Sequence, residues 1–524
     1  MESNRVAGLF DPREGSPSVV LLIVSGLIAA LVASPLLWLV LRSLQVDPAR
    51  AWELTAATRT AEIFLTSIAL MLLVTGFSIL LGVPLAVLTT RTDLPFRRFW
   101  TVVAALPLVI PSYIGAFAFV GMFGRYGELT SVLGLPMPQI DGFSGAVLVI
   151  TLYTYPYVFL TTRAALISMD ASLVEAARTL NANHRETFRR VTYPQIKPAV
   201  AAGSLLVALY AISDFGTPAF MRVGVFTAVI YEEFSVNVEY AALLSLQLLA
   251  VAAVVLFLEA KVGHDEGSSA GTSHGAPIRL GRLKWPAMGA VALLGVVTLV
   301  VPIGIFGVWL FRGTGGETTA LAFEWGYAFN SLYLAGIAAL VAATFALPVG
   351  YLSGRSESLL ARLFERTTYV GFAVPGVVIG LALVFFGANY ASWVYRTVPL
   401  LVFAYVVRFL PQAVGTTRTA VLQVDDQLVE AARTLNAGRT ETFRRVTFPL
   451  IAPGVIAGAA LVFLTTMKEL PATLMLQPIG VETLVTIIWE AHRTAYYRYA
   501  AVPALILVLI SGASMILLLR QEDV

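Results

Sequence analysis

Two copies of a charged segment stand in an otherwise apolar chain. Residues 175–194 read EAARTLNANHRETFRRVTYP and residues 430–449 read EAARTLNAGRTETFRRVTFP, so 16 of 20 positions are identical at an offset of 255. Chance would match about one position, and the segment is therefore an internal duplication. Nothing in the chain resembles a nucleophile with a base, or paired catalytic carboxylates. The repeated segment therefore indicates docking rather than catalysis.

The pattern of the segment predicts two short helices. Ser172 and Glu175 have capping-box spacing, and the apolar stripe that follows has small residues in its middle. That stripe is Leu173, Ala176, Ala177 and Leu180. Asn181 and Asn436 stand where the first helix must stop, because asparagine tolerates the left-handed conformation of a helix end. The second helix places Phe188 and Val191 opposite Arg185, Arg189 and Arg190, and Pro194 is expected to end it.

A second matched pair of residues carries charge inside the membrane. Asp214 in SDFGTPAF and Glu469 in KELPATLM are 255 residues apart, each late in a predicted span and close to a Gly or Pro. Ionisable groups inside spans are costly, and broken helices at matched places mark a transporter's central site. We expect Asp214, Lys468 and Glu469 to lie on a translocation pathway. The alternative is that the carboxylates cap broken helix ends, or that Glu469 pairs with Lys468.

The elements that position these residues are transmembrane helices. With 58% hydrophobic and 13% charged residues in 524, the chain is far more apolar than a soluble domain. The absence of cysteine excludes thiolate metal sites and disulfides, and no metal site is expected. The basic residues lie in short loops beside apolar runs, a pattern of membrane topology rather than of nucleic-acid binding.

The fold predicted is all-α, with twelve membrane spans in two parallel repeats of six. A span needs about 20 apolar residues. The predicted spans lie near 19–41, 64–90, 99–123, 145–167, 198–220, 241–260, 286–311, 328–352, 366–388, 398–420, 453–476 and 498–519. The aromatic residues Tyr153, Tyr155 and Tyr157 are expected in an interfacial belt.

The repeat also defines the predicted domains. An N-terminal arm (1–18) precedes the first half (19–260), and a Gly/Ser-rich segment (261–284) with the composition of a flexible linker precedes the second half (285–520). The charged loops occupy about 168–197 and 423–452. Further residues match at an offset of 264. They include Arg91 with Arg355 and Pro111 with Pro375.

The distribution of basic residues predicts the orientation. If the N-terminus is cytoplasmic, 24 of the 35 Lys and Arg lie in cytoplasmic segments and 9 lie outside. Cytoplasmic loops carry the excess of basic residues in membrane proteins. The N-terminal arm, the linker and both charged loops are therefore expected in the cytoplasm.

The charged segment resembles the EAA loop of permease subunits of binding-protein-dependent ABC importers. That pattern is Glu-Ala-Ala, three residues, Gly, nine residues, an aliphatic, any residue, usually Leu, then Pro. The matching residues are Glu175, Ala176, Ala177, Val191 and Pro194 in the first copy and Glu430, Ala431, Ala432, Val446 and Pro449 in the second. Both copies depart from the pattern with Asn181 and Asn436 in place of Gly, and with an aromatic residue before the proline.

The resemblance implies the type I ABC importer permease fold in a cell (inner or plasma) membrane. It implies that each loop docks on one of two ATPase subunits and that an extracytoplasmic binding protein delivers the solute. No catalytic residue and no bound cofactor are expected in this chain, since ATP and Mg would be used by the ATPase. The chain has no G-x-x-x-x-G-K-[ST] phosphate loop.

The chain fuses two halves, with DFGTP in the first half and KELPATL and VETLVTIIWE in the second. In this it resembles the ferric-iron branch of the family. Thiamine permeases share the fused layout and are the alternative, ahead of polyamine, sulfate and molybdate permeases. Two other interpretations stay open. One is a gradient-driven secondary transporter with twelve spans, which does not explain the two EAA loops. The other is that the charged segment is a solvated amphipathic loop.

Overall fold

The computed structural model describes residues 18–124, 127–128, 139–169, 183–262, 277–311, 323–435 and 438–522. In these residues the regular structure is helical, apart from one isolated bridge between Thr92 and Ile278. Nine of the described helices are long and apolar enough to span a membrane, and two bent helix pairs bring the number to eleven. The twelfth predicted span falls on a shorter apolar helix, Tyr497–Gly512. The all-α membrane class is confirmed.

Numbered along the chain, the helices are α1 (Val19–Leu44), α2 (Pro48–Ala56), α3 (Thr58–Arg91), α4 (Arg97–Ala105), α5 (Ser112–Phe123), α6 (Gly142–Ser168), α7 (Tyr193–Ser213), α8 (Gly216–Phe220), α9 (Phe226–Glu233), α10 (Val238–Val262), α11 (Lys284–Gly295), α12 (Val301–Phe311), α13 (Trp325–Arg355), α14 (Leu359–Ala373), α15 (Gly376–Tyr390), α16 (Val398–Leu422), α17 (Asp426–Thr434), α18 (Phe448–Met467), α19 (Pro471–Leu476), α20 (Leu484–Arg493) and α21 (Ala501–Glu522).

Packing divides the chain into two compact units. The first unit comprises Val46–Glu324 with Leu484–Val524, and the second comprises Met1–Gln45 with Trp325–Thr483. The first span of each sequence half therefore packs with helices of the other half. In the second unit α1 packs against α13, α14 and α15, and in the first unit α12 packs against α5.

Three helices form the centre of each unit. They are α3, α6 and α7 in the first unit and α13, α16 and α18 in the second. Glycines 255 residues apart permit close contacts between these helices: a methyl group on Gly203 would lie 2.9 Å from Val158 Cα, and one on Gly458 would lie 2.8 Å from Ala413 Cα. Helices in lipid associate through such close packing, because lipid provides no hydrophobic driving force between them.

The third span of each repeat is bent, not straight. The segment 97–109 meets α5 at 89°, and α14 meets α15 at 101°. Each of the predicted spans 99–123 and 366–388 is therefore two helices joined at a bend. Pro111 and Pro375 stand at the bends, and the residues before them, Ile110 and Val374, have extended backbones with ψ of 123° and 124°. Proline disfavours the helical conformation of its predecessor, which ends the helix there.

The end of the predicted flexible linker is fixed to the loop between α3 and α4. Ile278 N–H donates to the Arg91 carbonyl at 2.7 Å, and Leu280 N–H donates to Asp93 Oδ1 at 2.8 Å. Lys284 Nζ lies 2.8 Å from Asp93 Oδ2. The hydrogen bond from Leu280, with Lys284 beside it, lowers the pKa of Asp93. This anchor is thus present at neutral pH and is lost only as pH falls through that lowered pKa.

We expect Gly458→Val to lower the thermal midpoint of the purified protein. The added atoms meet backbone and side chain of α16, and overpacking of this kind costs about 1–3 kcal/mol. The matched control is Gly336→Val on α13, where a methyl group would meet nothing within 4 Å. Equal midpoints for the two variants would show that close approach of α18 to α16 does not stabilise the unit.

Candidate functional site

The fifth span of each repeat breaks at the matched carboxylate. Helix α7 ends at Ser213 and α18 ends at Met467, and the short helices α8 and α19 follow. These breaks lie within the predicted spans 198–220 and 453–476, so the interruption predicted close to a Gly or Pro is confirmed. Asp214 N–H still donates to the Tyr210 carbonyl at 2.8 Å and Glu469 N–H to the Thr466 carbonyl at 3.0 Å. Both carboxylates therefore stand at the first residues beyond regular helix.

Asp214 is held by hydroxyl groups. Ser112 Oγ donates to its Oδ2 at 2.9 Å, and the same hydroxyl lies 3.0 Å from Tyr210 Oη. The backbone carbonyl of Asp214 accepts a hydrogen bond of 2.7 Å from Thr227. Within the described ranges, no lysine or arginine lies at ion-pair distance from the Asp214 carboxylate. Its negative charge is met by neutral donors alone in that part of the chain.

Glu469 is held by a cation and a helix end. Its side chain is 5% exposed, and Arg408 Nε lies 3.3 Å from its Oε2. The other oxygen accepts a hydrogen bond of 3.3 Å from Ala472 N–H, which caps the start of α19. The sequence predicted, as the alternative, that Glu469 caps a helix end or pairs with Lys468. The structure shows that Glu469 caps α19 and forms an ion pair with Arg408. Lys468 directly follows the last residue of α18, and its side chain is half-buried.

The two sites differ because matched positions carry different side chains. Ser112 donates to the carboxylate in the first unit, whereas its counterpart in the second is Gly376, where a side chain would collide with Arg408 and Glu469. The absence of a side chain at Gly376 is what admits the guanidinium. The counterpart of Arg408 is Tyr153, whose hydroxyl instead donates to the Thr298 carbonyl at 3.1 Å.

Half-buried polar side chains line the same faces of the fourth and fifth spans in both units. In the first unit Tyr157 of α6 and Tyr210 of α7 have ring centroids 6.2 Å apart. At the matched positions of the second unit Thr465 donates to Gln412 at 3.2 Å. Polar residues inside spans face a protein interior or a water-filled cavity. These pairs and Arg408 were not among the predicted site residues, although polar residues at an offset of 255 were a signal.

The expected aromatic belt is not observed. Tyr153 and Tyr155 are 2% and 0% exposed, and the Tyr155 hydroxyl donates to the Ala104 carbonyl at 2.8 Å. They lie in the interior of the first unit, so the interfacial interpretation was wrong. Composition could not distinguish these positions, because buried tyrosines with bonded hydroxyls and interfacial tyrosines give the same local pattern.

The charged loop is described mainly in its second copy. Residues Glu175, Ala176, Ala177, Asn181 and Asn436 lie outside the described residues. In the second copy, Glu430, Ala431 and Ala432 lie on α17 as predicted. Val429 and Phe443 pack on a small core that contains Val421 and Ile451, which fixes the loop to the ends of α16 and α18.

The apolar stripe that begins on α17 and ends at Leu435, the residue that follows this helix, is exposed. Leu428 is 49% exposed and Leu435 is 83% exposed, and Ala431 lies between them on the same face. Their spacing of i, i+3 and i+7 is that of one side of a helix. Apolar residues grouped on a surface next to charges indicate a protein-interaction site. Glu430 is also exposed beside this stripe.

The second short helix of the loop does not end at proline. Residues Phe188–Thr192 form a π-helical turn that continues into α7, and Phe443–Thr447 does the same before α18. Pro194 and Pro449 occupy the first turn of these helices, so the prediction that proline ends the helix was wrong. The wider turn and a first-turn position both accommodate a residue without an N–H. Val191 and Val446 are half-buried in these turns.

Matched arginines connect the second span to the loop. Arg355, at the end of α13, forms an ion pair with Asp426 at the start of α17 and donates to the Val424 carbonyl at 3.4 Å. Its counterpart Arg91 donates to the Leu166 carbonyl at 2.7 Å. Each arginine thereby links the end of the second span to the end of the fourth span, where the charged loop begins.

Two stretches of the chain, 78–261 and 346–522, match the family described as the inner membrane component of binding-protein-dependent transport systems. The chain is 33% identical over 492 residues to an Fe(3+)-transport system permease protein of Haemophilus influenzae, covering 92% of this chain and 94% of that protein. It is 25% identical over 427 residues to a ferric transport system permease protein of Actinobacillus pleuropneumoniae, with 76% and 62% covered. A molybdenum transport system permease protein of Mycobacterium tuberculosis is 32% identical over 233 residues, which is 43% of this chain and 87% of that protein.

We expect Arg355→Met to slow transport by roughly threefold to tenfold, since a partly exposed ion pair contributes about 1 kcal/mol and positions the loop. The measurement is solute uptake together with ATP hydrolysis in reconstituted vesicles. Arg362→Met is the matched control, because Arg362 donates to the Glu357 carbonyl on its own helix end. Transport by Arg355→Met at the control rate would contradict a positioning role.

Proposed function

We propose that this chain, which belongs to the family of inner membrane components of binding-protein-dependent transport systems, is the permease through which an ATP-driven importer moves ferric iron. The observation that carries the proposal is similarity along nearly the whole chain to a protein named as an Fe(3+)-transport permease. The molybdenum permease matches less than half of this chain. Ferric iron is therefore favoured over molybdate, and thiamine is the alternative that the fused layout leaves.

The two charged loops support an ATP-driven mechanism. An exposed apolar stripe beside an exposed glutamate on α17 suits a protein partner, and the duplication provides two such loops. We propose that each loop seats one of two ATPase subunits and that ATP and Mg are bound there, not by this chain. The loops and the N-terminal arm then lie in the cytoplasm of a cell whose inner or plasma membrane holds the chain. A gradient-driven secondary transporter would have no need of these loops.

The translocation pathway in this proposal follows the half-buried polar faces of the fourth and fifth spans. Asp214, Lys468 and Glu469 stand where those spans break, so the pathway is interrupted by non-helical backbone at matched points. Non-helical backbone within a membrane occurs where it lines a cavity or is buried in protein. An extracytoplasmic binding protein would deliver the ion to the outer side of this route, and ATP-driven movement of the loops would open the inner side.

Cells that lack this chain should lose ATP-dependent uptake of radiolabelled ferric iron, and expression of the chain should restore it. Uptake is measured at micromolar iron, with ATP depletion as the energy control and radiolabelled thiamine as the substrate control. Iron uptake that is equal with and without the chain would contradict the ferric assignment. Loss of thiamine uptake in the same cells would then identify the alternative substrate.

The double variant Glu175→Arg with Glu430→Arg should abolish co-purification of the ATPase subunits. Reversal of charge on the docking helices turns an attractive or neutral contact into a repulsive one, which commonly costs several kcal/mol at an interface. Glu232→Arg, an exposed glutamate on α9 far along the chain from either loop, is the control. Retention of the ATPase by the double variant would show that the loops are not its docking sites.

A further inference from the structure

The break after α7 gathers oxygen ligands from three helices. Ser112 begins α5, Tyr157 lies on α6 and Tyr210 on α7, and Asp214 follows α7 directly. Ser112 Oγ lies 2.9 Å from the Asp214 carboxylate and 3.0 Å from Tyr210 Oη, and the Tyr157 ring is next to that of Tyr210. Tyr157, Tyr210 and Asp214 are half-buried, so the cluster is neither sealed in the core nor fully in solvent.

The Asp214 carboxylate has no cationic partner among the described residues. Burying a charge inside a membrane protein is costly unless it is paired, and the described residues place only neutral donors on Asp214. The matched site of the second unit meets the same need with Arg408, 3.3 Å from Glu469. That guanidinium would repel any metal ion. Of the two matched sites, the one in the first unit is therefore the one whose carboxylate has no cation beside it among the described residues.

The donor types select the class of ion. Carboxylate and hydroxyl oxygens are hard ligands and suit hard cations, and tyrosine oxygen is an established ligand of iron in proteins. Two tyrosines beside one carboxylate supply up to three anionic oxygens, which matches a trivalent ion better than a divalent one. Each phenol that binds loses its proton to water as the oxygen–iron bond forms, and iron stays ferric throughout.

We propose that Asp214, Tyr210 and Tyr157, with Ser112 holding the carboxylate, form a transit site for one ferric ion per chain. This inference rests on the proposed function, which it deepens by naming the ligands. The two phenols keep their protons until iron displaces them, so affinity stays moderate. A conducting site must bind strongly enough to accept the ion and weakly enough to release it.

The test uses the full chain purified in lipid nanodiscs and titrated with ferric nitrilotriacetate. Ferric phenolate bonds absorb visible light by charge transfer, and we expect this band to saturate at one ion per chain. Tyr210→Phe and Asp214→Asn should each weaken ferric binding by about tenfold or more, the usual effect of losing a ligand or its support. Tyr155→Phe, which removes a buried phenol from the same helix as Tyr157, should leave the band and the stoichiometry unchanged.

Uptake into vesicles with the ATPase and binding protein separates this inference from the proposed function. Wild-type iron uptake with no phenolate band, and with normal uptake by Tyr210→Phe, would overturn the transit site and leave the ferric permease standing. A band that saturates at the wild-type iron concentration in both variants would overturn it as well. No iron uptake by the wild type would refute the proposed function itself. If Asp214→Asn fails to fold, Asp214→Glu takes its place in the test. Because Asp214→Glu keeps the charge, we expect it to keep the phenolate band.

Discussion

Every backbone polar group inside a membrane must find a partner within the protein, and the two breaks after α7 and α18 depend on how that requirement is met. At each break a carboxylate, Asp214 or Glu469, stands where the helix ends. Glu469 caps the next short helix through Ala472 N–H, and Arg408 compensates its charge. Hydroxyl groups hold Asp214. The broken spans can therefore persist in an apolar solvent, and the polar side chains they bring inside become available for transport.

Duplication gave both units the same frame, and later substitutions gave their centres different chemistry. The close contact at Gly203 and Gly458, the bends at Pro111 and Pro375, and the arginines Arg91 and Arg355 are kept in both. These features determine how the helices pack, and the helices of both repeats must pack in the same way. The carboxylate sites differ because glycine at position 376, the counterpart of Ser112, leaves room for the guanidinium of Arg408.

The charged loop links the interior of the second unit to its surface. Val429 and Phe443 pack into a small core at the ends of α16 and α18, while Leu428 and Leu435 of the same segment face outward. Movement of the exposed stripe would therefore be transmitted to the fourth and fifth spans, whose polar faces carry the candidate pathway. The π-helical turn before α18 makes loop and span one continuous helix, which suits transmission of force along it.

The sequence by itself determined the membrane class, the duplication, the position of most spans, the repeated charged segments and the matched carboxylates, because hydrophobic runs and repeated motifs are local properties. Tertiary structure alone decided which residues meet: Arg408 with Glu469, Ser112 with Asp214, and the first span of each half with helices of the other half. It also placed Tyr153 and Tyr155 in the interior and set the bends in the third span of each repeat at 89° and 101°. Those outcomes depend on contacts between residues distant along the chain, and apolar spans look alike in sequence whichever partner they pack against.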